Sequence, residues 1–533
     1  MVTAPMIPNK EQQLAIDSVE GVVVCISGPG SGKTTVLVQR YLKMLMSGIN
    51  MKDTLNLTFT HAAATELVKR AGMTDADKVF RTFHSFCIEL LNKEREHLDF
   101  DLCPTVIPVA TEDYQLLFDL VRQFPAINNF RTLKEKISQW KRENIEPEQA
   151  VEEARHMGAE YFYALAYQEY EIKCREQGWL DFDSCIRETV NLLENNDEVR
   201  SRWKRKYISV DECQDTDVNQ FRLLQLIFDG NIFVVGDENQ LIYEWRSAQS
   251  GNLTNFAQQF PGAHTLYLGQ NYRSTGKLVE FFKQILPVDN GLASRMRTDS
   301  PDGVSPVITE YNDDIQEAHA VLEKITDPIN TAVIARTNRQ LFIFQKICTM
   351  KGIKYKILGK KDFWEQNEIK KLLGLAKDVN SSLPANIVLE NLIQQHNLLQ
   401  IYRHAGNPNE GDPVENLNDI VKMAAGKGTI KDFMTKLRNM THARRGAKGL
   451  TLSTVHQAKG REYKHVFLIG VNQGKMPHKE GELNEEKRIF FVGCSRAADT
   501  LDITFYGSRS MFLNDFLDWI NVYEEEEVDA QPM

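Results

Sequence analysis

The stretch Ile26–Thr35 reads I-S-G-P-G-S-G-K-T-T. Gly28, Gly30 and Gly32 let a backbone fold closely around an anion and turn its N–H groups inward, with Ser31 between them. Lys33 can reach β- and γ-phosphates, and the hydroxyl of Thr34, next to Thr35, can hold a magnesium ion. Far downstream, K-Y-I-S-V-D-E-C ends in the acids Asp211 and Glu212. One acid of such a pair holds Mg²⁺ through water, and the other orients or deprotonates the attacking water. Gln240, in V-G-D-E-N-Q, has an amide suited to sensing a γ-phosphate. These residue types predict binding and hydrolysis of a nucleoside triphosphate with Mg²⁺.

Positioning these groups requires an open α/β layer. The apolar run Val22 to Ile26 predicts a buried strand before the glycine loop, and Val36 to Met46 a helix after it, whose N-terminus adds partial positive charge. Asn9 to Ile16 predicts a short helix carrying Gln12, whose amide can read an adenine edge. Further strands are expected at Leu55–Thr60, Lys206–Cys213, Asn231–Gly236 and His264–Leu268, with a helix over His61–Arg70. The acids then stand at the carboxyl end of a strand, the usual ligand crevice of an open sheet. From Asn92 to Gly178 the pattern turns helical and charged; its tyrosines 161, 163, 167 and 170 read as core. A second α/β pattern has strands at Val307–Tyr311, Thr331–Ala335, Tyr355–Leu358, Leu450–Thr454, Val466–Gly470 and Leu501–Phe505. It has no glycine loop but offers T-V-H-Q-A-K-G-R-E at 454–462 and V-G-C-S-R-A at 492–497. One half with a phosphate loop and one with arginines suggest a nucleotide held between domains, an arginine stabilising transition-state charge. Tyr243 and Trp245, at alternate positions, can stack on single-stranded bases, each worth roughly 1–3 kcal/mol. Arg444, Arg445 and Lys448 read as a solvated loop.

Bulk composition bounds the rest. The chain has 533 residues, 42% hydrophobic and 26% charged, enough for several domains. Its net charge of −10 means that nucleic acid binding requires a local basic channel rather than a global field. The eight cysteines include no C-x-x-C pair and read as free thiols in a reducing cytoplasm. No secretory leader or membrane-length apolar run is read, so a cytoplasmic location without membrane contact is expected. Residues 524–533 are expected to be an acidic, disordered tail.

Taken in order, the segments Q-x-x-A-I, G-P-G-S-G-K-T, T-F-T, T-F-H, V-D-E-C-Q-D, V-G-D-E-N-Q-L-I-Y-E-W-R, N-Y-R-S, T-V-H-Q-A-K-G-R-E and V-G-C-S-R-A resemble the UvrD/Rep/PcrA family of superfamily 1 DNA helicases. The resemblance runs from about Asn9 to Phe505. It implies two RecA-like P-loop NTPase-type domains with parallel sheets, each interrupted by a mostly helical insertion. The implied layout is 1–91 and 179–275 for the first RecA-like domain (1A), 92–178 for its insertion (1B), 276–378 and 448–523 for the second (2A), and 379–447 for a reduced 2B insertion. By the same resemblance Gln12 contacts adenine and Tyr272 stacks on it, Lys33 and Thr34 bind phosphate and Mg²⁺, Asp211 completes the metal site, Glu212 is the catalytic base, and Gln240 reads the γ-phosphate. Arg273 and Arg496 would be arginine fingers, and Glu462 would lie near the ribose and phosphates. Phe59, Thr60, His84, Tyr243, Trp245 and His456 would line the single-stranded DNA path, and Arg246 would link it to the nucleotide. The implied activity is 3′→5′ translocation on single strands and unwinding of tailed duplexes, as a monomer in isolation; a protein-displacing translocase with weak unwinding is the alternative.

The sequence departs from the family pattern at several points. Ser27 stands where Gly or Ala is usual, and Thr35 where many relatives carry an arginine that sandwiches the base. His61-Ala62 replaces Asn-Lys, Arg461 a leucine, and Ser495 a threonine.

Overall fold

The computed structural model describes residues 7–74, 79–98, 105–106, 112–127, 129–242, 252–260, 262–287, 291–359, 363–402, 413–442 and 448–522. The chain divides into two units, 1–270 and 271–533.

In the first unit, β1 (Val22–Ser27), β2 (Thr54–Thr58) and β3 (Phe80–Thr82) precede a short pair, β4 (Thr105–Val106) and β5 (Trp179–Leu180). β6 (Arg205–Val210), β7 (Phe228–Gly236) and β8 (His264–Leu268) follow. Among the described residues β1–β3 and β6–β8 form a parallel sheet in the order β3-β2-β6-β7-β1-β8. Burial runs unbroken through Val22 to Cys25 and through Asn231 to Gly236, as expected for parallel strands covered on both faces. One apolar layer contains Val24, Leu57, Ile208 and Val234; the opposite one contains Val23, Cys25, Tyr207 and Val235.

The helices Glu112–Gln123, Phe130–Arg142, Pro147–Ala154 and Ala159–Gln177 enclose a core of their own, in which Tyr163, Tyr167 and Tyr170 are buried.

In the second unit β9 (Val307–Tyr311), β10 (Thr331–Ala335), β11 (Tyr355–Ile357), β12 (Leu450–Thr454), β13 (Tyr463–Leu468), β14 (Ala497–Tyr506) and β15 (Ile520–Val522) form a second parallel sheet, ordered β11-β12-β10-β13-β14-β9-β15. Helices at Asn367–Ala376, Ala385–Gln395, Pro413–Ala424 and Ile430–His442 enclose a separate core, which takes in Phe342 of helix Asn338–Lys351.

The chain is therefore α/β with two parallel sheets. Differences from the sequence reading lie at element ends and in one short strand. The helix after the glycine loop begins at Lys33 rather than Val36, because the polar Lys-Thr-Thr turn carries no apolar signal. β13 starts at Tyr463 and β14 at Ala497, where pairing with neighbours extends past the apolar stretch. β15, three residues long, pairs Ile520 with Ile308 and is too short for periodicity to reveal. No helix among the described residues is long and apolar enough to cross a membrane.

Candidate active site

The strand order of the first sheet lays its carboxyl ends side by side. β1 runs into the glycine loop, β6 into Asp211-Glu212, and β7, between them, into Asp237–Gln240. On the other side of β6, β2 leads to Phe59 and Thr60, and β3 to His84.

The loop is built on left-handed glycines. Gly30 has φ +66° and Gly32 φ +82°, and Gly32 stands as N-cap of the helix Lys33–Met46 without any side-chain cap. An uncapped helix start that follows left-handed glycines is suited to holding an anion. Gly28 N–H donates to Leu268 O at 3.1 Å, fixing the loop to the end of β8. Gln12 is buried, and its Nε2 donates to Ser31 O at 3.0 Å while its Oε1 accepts from Asn9 N–H at 3.1 Å. A Cβ at Gly32 would lie 2.7 Å from Gln12 Nε2, so the amide and the loop are fitted to one another. Ser27, atypical by sequence, donates from Oγ to Gly236 O at 2.8 Å and ties β1 to β7 where the loop begins. Ser31 Oγ is buried with no protein partner, and Thr34 and Thr35 are half-buried on the first helical turn.

The acids face this loop. Lys33 Nζ lies 3.5 Å from Glu212 Oε2. Burial, and then the neighbouring Glu212 charge, push the Asp211 carboxyl up to about 7, against the pull of Lys33. Glu212 has φ +51°, a left-handed conformation that costs a non-glycine residue about 1–3 kcal/mol and marks functional turns. Gln214, fully buried, donates from Nε2 to Glu212 Oε2 at 2.7 Å and accepts at Oε1 from Asp237 N–H at 3.0 Å. Asp237 Oδ2 in turn accepts from Gln240 Nε2 at 2.6 Å. Burial raises the Asp237 carboxyl.

The donor set fits a nucleoside triphosphate with a divalent cation. It offers an orphaned hydroxyl and uncapped amides for phosphate, a lysine, and a buried carboxyl whose raised pKa a cation would reverse.

In the second unit, Arg273, Glu462 and Arg496 come together. Asn271 Oδ1 accepts from the N–H groups of Arg273 and Ser274, at 2.7 and 2.8 Å, setting a tight turn. Ser274 Oγ donates to Ala497 O at 2.7 Å, and Arg273 Nη1 to Ser495 O at 2.9 Å. Arg273 Nε pairs with Glu462 Oε2 at 2.9 Å. Tyr272 is exposed. Arg496 is buried: its Nε donates to Val492 O, its Nη1 to Arg461 O and its Nη2 to Ser495 Oγ. The guanidinium read as a finger thus donates to residues of its own unit, and Ser495, in place of the usual threonine, is one of its acceptors.

A model of the UvrD/REP helicase N-terminal domain matches residues 8–261, and one of the UvrD-like helicase C-terminal domain matches 266–381 and 389–508. The chain belongs to the UvrD/Rep helicase family. It is 25% identical to the ATP-dependent DNA helicase PcrA of Staphylococcus aureus, over 95% of this chain and 84% of the relative. The PcrA of Bacillus subtilis is 26% identical over 95% and 83%, and that of Staphylococcus epidermidis 26% over 95% and 84%.

Of the residues read as a DNA path, Tyr243, Trp245 and Arg246 lie outside the described residues. Phe59 is half-buried and Thr60 exposed at the end of β2, where Thr60 Oγ1 caps the helix His61–Arg70. His84 lies on the first turn of helix Phe83–Lys93, and His456 in the helix Val455–Ala458 after β12. The sequence reading missed two neighbours. Phe182, exposed, sets its ring edge-on to His84 at 5.3 Å, and nothing in the local pattern marks it. Gln214 stands two residues after Glu212, and its spacing within V-D-E-C-Q-D was the available signal.

Proposed function

We propose that this chain is an ATP-dependent DNA helicase that moves 3′→5′ on single-stranded DNA and separates tailed duplexes. The observation carrying this reading is the convergence of the glycine loop, Lys33, Asp211, Glu212 and the Gln240 segment at neighbouring strand ends, in a chain of the UvrD/Rep helicase family. The PcrA relatives are named as ATP-dependent DNA helicases.

In this reading the loop amides and Lys33 hold the phosphates, with Ser31 Oγ donating to a phosphate oxygen. Thr34 and Asp211 hold Mg²⁺, which neutralises charge on the phosphates. Glu212 orients the attacking water and takes its proton, and Gln240 senses the γ-phosphate. Gln12 and Tyr272 hold the adenine, Thr35 lies beside the nucleotide, and Glu462 serves the ribose and phosphates. Arg273 and Arg496 are the arginine fingers; Arg496 exchanges acceptors such as the Val492 and Arg461 carbonyls for phosphate when nucleotide binds. ATP draws the two RecA-like halves together and hydrolysis releases them, so that closure and turnover are coupled. Phe59, Thr60, His84, Tyr243, Trp245 and His456 line the DNA path and shift against stacked bases at each cycle, with Arg246 connecting path and nucleotide. Residues 1–91 and 179–275 act as 1A, 92–178 as 1B, 276–378 and 448–523 as 2A, and 379–447 as a reduced 2B. The working form is a cytoplasmic monomer on single-stranded or tailed duplex DNA.

Phosphate release, measured with and without single-stranded DNA, tests the chemistry. Wild type is expected to be stimulated by DNA, whereas Lys33→Ala and Glu212→Gln lose at least about 100-fold in kcat while remaining folded. Retained turnover in either folded variant contradicts the assignment.

A further inference from the structure

We infer that Gln214 is a positioning residue that couples the base Glu212 to the γ-phosphate-sensing segment Asp237–Gln240. The inference rests on the ATPase reading above and deepens it. One side-chain amide spans the two segments: Nε2 donates to Glu212 Oε2 at 2.7 Å, and Oε1 accepts from Asp237 N–H at 3.0 Å. Asp237 then holds Gln240 through Oδ2 at 2.6 Å, and Asn239 N–H through Oδ1 at 3.0 Å. The chain Glu212–Gln214–Asp237–Gln240 is continuous from the carboxylate proposed as the base to the amide proposed as the γ-phosphate sensor.

The amide is held in one orientation. Gln214 is fully buried, and flipping it would set its N–H₂ against the Asp237 N–H and its oxygen against the Glu212 carboxylate. It reaches Asp237 across Gly236, where a Cβ would lie 2.2 Å from Gln214 Oε1 and 3.2 Å from its backbone nitrogen. Gly236 thus supplies the passage for the Gln214 side chain. Its carbonyl also accepts from Ser27 Oγ at 2.8 Å, so the same residue joins the start of the phosphate loop. A displacement of Gln240 on meeting or losing the γ-phosphate passes through Asp237 and the Gln214 amide to the orientation of the base, which already sits at a strained φ of +51°. Hydrolysis is thereby tied to an engaged sensor.

The test uses the full chain with saturating single-stranded DNA. Gln214→Glu keeps the size and the acceptor for Asp237 N–H but loses the donor to Glu212. Gly236→Ala leaves Gln214 in place but drives its amide out of the passage. Each is expected to lower kcat by about 100-fold, as for a reacting group misplaced by an ångström, with KM for ATP unchanged in protein that is still folded. Gly236→Ala placed in a Gln214→Ala background is expected to cost nothing further, because both changes remove one connection. A kcat equal to wild type in folded Gln214→Glu overturns the coupling, as does full additivity of the Gly236→Ala and Gln214→Ala effects. A wild-type protein without DNA-stimulated turnover overturns the ATPase reading itself. Active wild type, inactive Glu212→Gln and fully active Gln214→Glu overturn only the coupling.

Discussion

Glu317 illustrates how a single buried carboxyl sets a pH dependence away from the proposed chemistry. It lies on helix Asp314–Lys324, and its Oε1 accepts from Thr504 Oγ1 at 2.6 Å and from Gly470 N–H at 2.9 Å. Burial pushes its pKa from 4.5 up to about 7, against these hydrogen bonds and the pull of Lys475. The folded state therefore keeps the proton through a range in which the unfolded chain has released it. The group's contribution is most favourable below the unfolded pKa and declines as pH rises through about 7. A glutamine side chain at this position would keep the carbonyl acceptor without the buried charge. Glu317→Gln is expected to be more stable than wild type at pH 8, by on the order of 3 kcal/mol at ~1.4 kcal/mol per pKa unit. The advantage should shrink toward pH 5 in thermal melts. A gap that does not change with pH contradicts this account.

At the scale of elements, buried charge also fastens the helical insertion of the first unit. Lys141 ends helix Phe130–Arg142 with its side chain fully buried; Nζ pairs with Asp181 at 2.6 Å and Glu171 at 2.5 Å, and lies 4.8 Å from the Tyr170 ring centre. Its carbonyl accepts from Asn219 Nδ2 at 2.9 Å, reaching the helix Val218–Ile227. Asp181 caps helix Phe182–Asn195, and its carboxyl is held at about 2 by Lys141 and the Ser184 N–H, against the cost of burial. Removing one partner strands the others, so Lys141→Met is expected to cost about 3–5 kcal/mol in urea unfolding followed by tryptophan fluorescence. Adding Asp181→Asn should recover much of the loss, since Asn caps a helix as Asp does. A Lys141→Met protein as stable as wild type would show that the network contributes nothing.

This network, like the Gln214 connection, was not legible in the sequence, because its members acquire meaning only through partners on other elements. What was legible had a linear signature. The glycine loop, the strand ending in Asp211-Glu212 and the alternating strands and helices each declare themselves within a few residues, so the α/β class could be read directly, while the parallel sheets were implied by the family resemblance. Arg496 lies between these cases. Its motif marks the residue, but the Arg461 carbonyl that accepts from it becomes visible only once β13 and β14 are paired.

Across the whole molecule, the proposed function draws on residues of both units, with Lys33, Asp211, Glu212 and Gln240 in the first and Arg273, Glu462 and Arg496 in the second. The departures from the family pattern then acquire specific meanings. Ser27 serves the connection from β1 to β7, and in the proposed reading Thr35 stands beside the nucleotide where many relatives carry an arginine. The helices before β12 have their own core, built partly on Phe342; in the proposed reading they are the reduced 2B insertion, whose size bears on whether the chain separates duplexes or chiefly travels along single strands. Duplexes with a single-stranded tail at the 3′ or the 5′ end, incubated with ATP and either wild type or Glu212→Gln, test the central claim most directly. The account predicts strand separation by wild type on the 3′-tailed duplex alone, and none by Glu212→Gln on either. Separation of the 5′-tailed duplex in preference, or unwinding by folded Glu212→Gln, would contradict it.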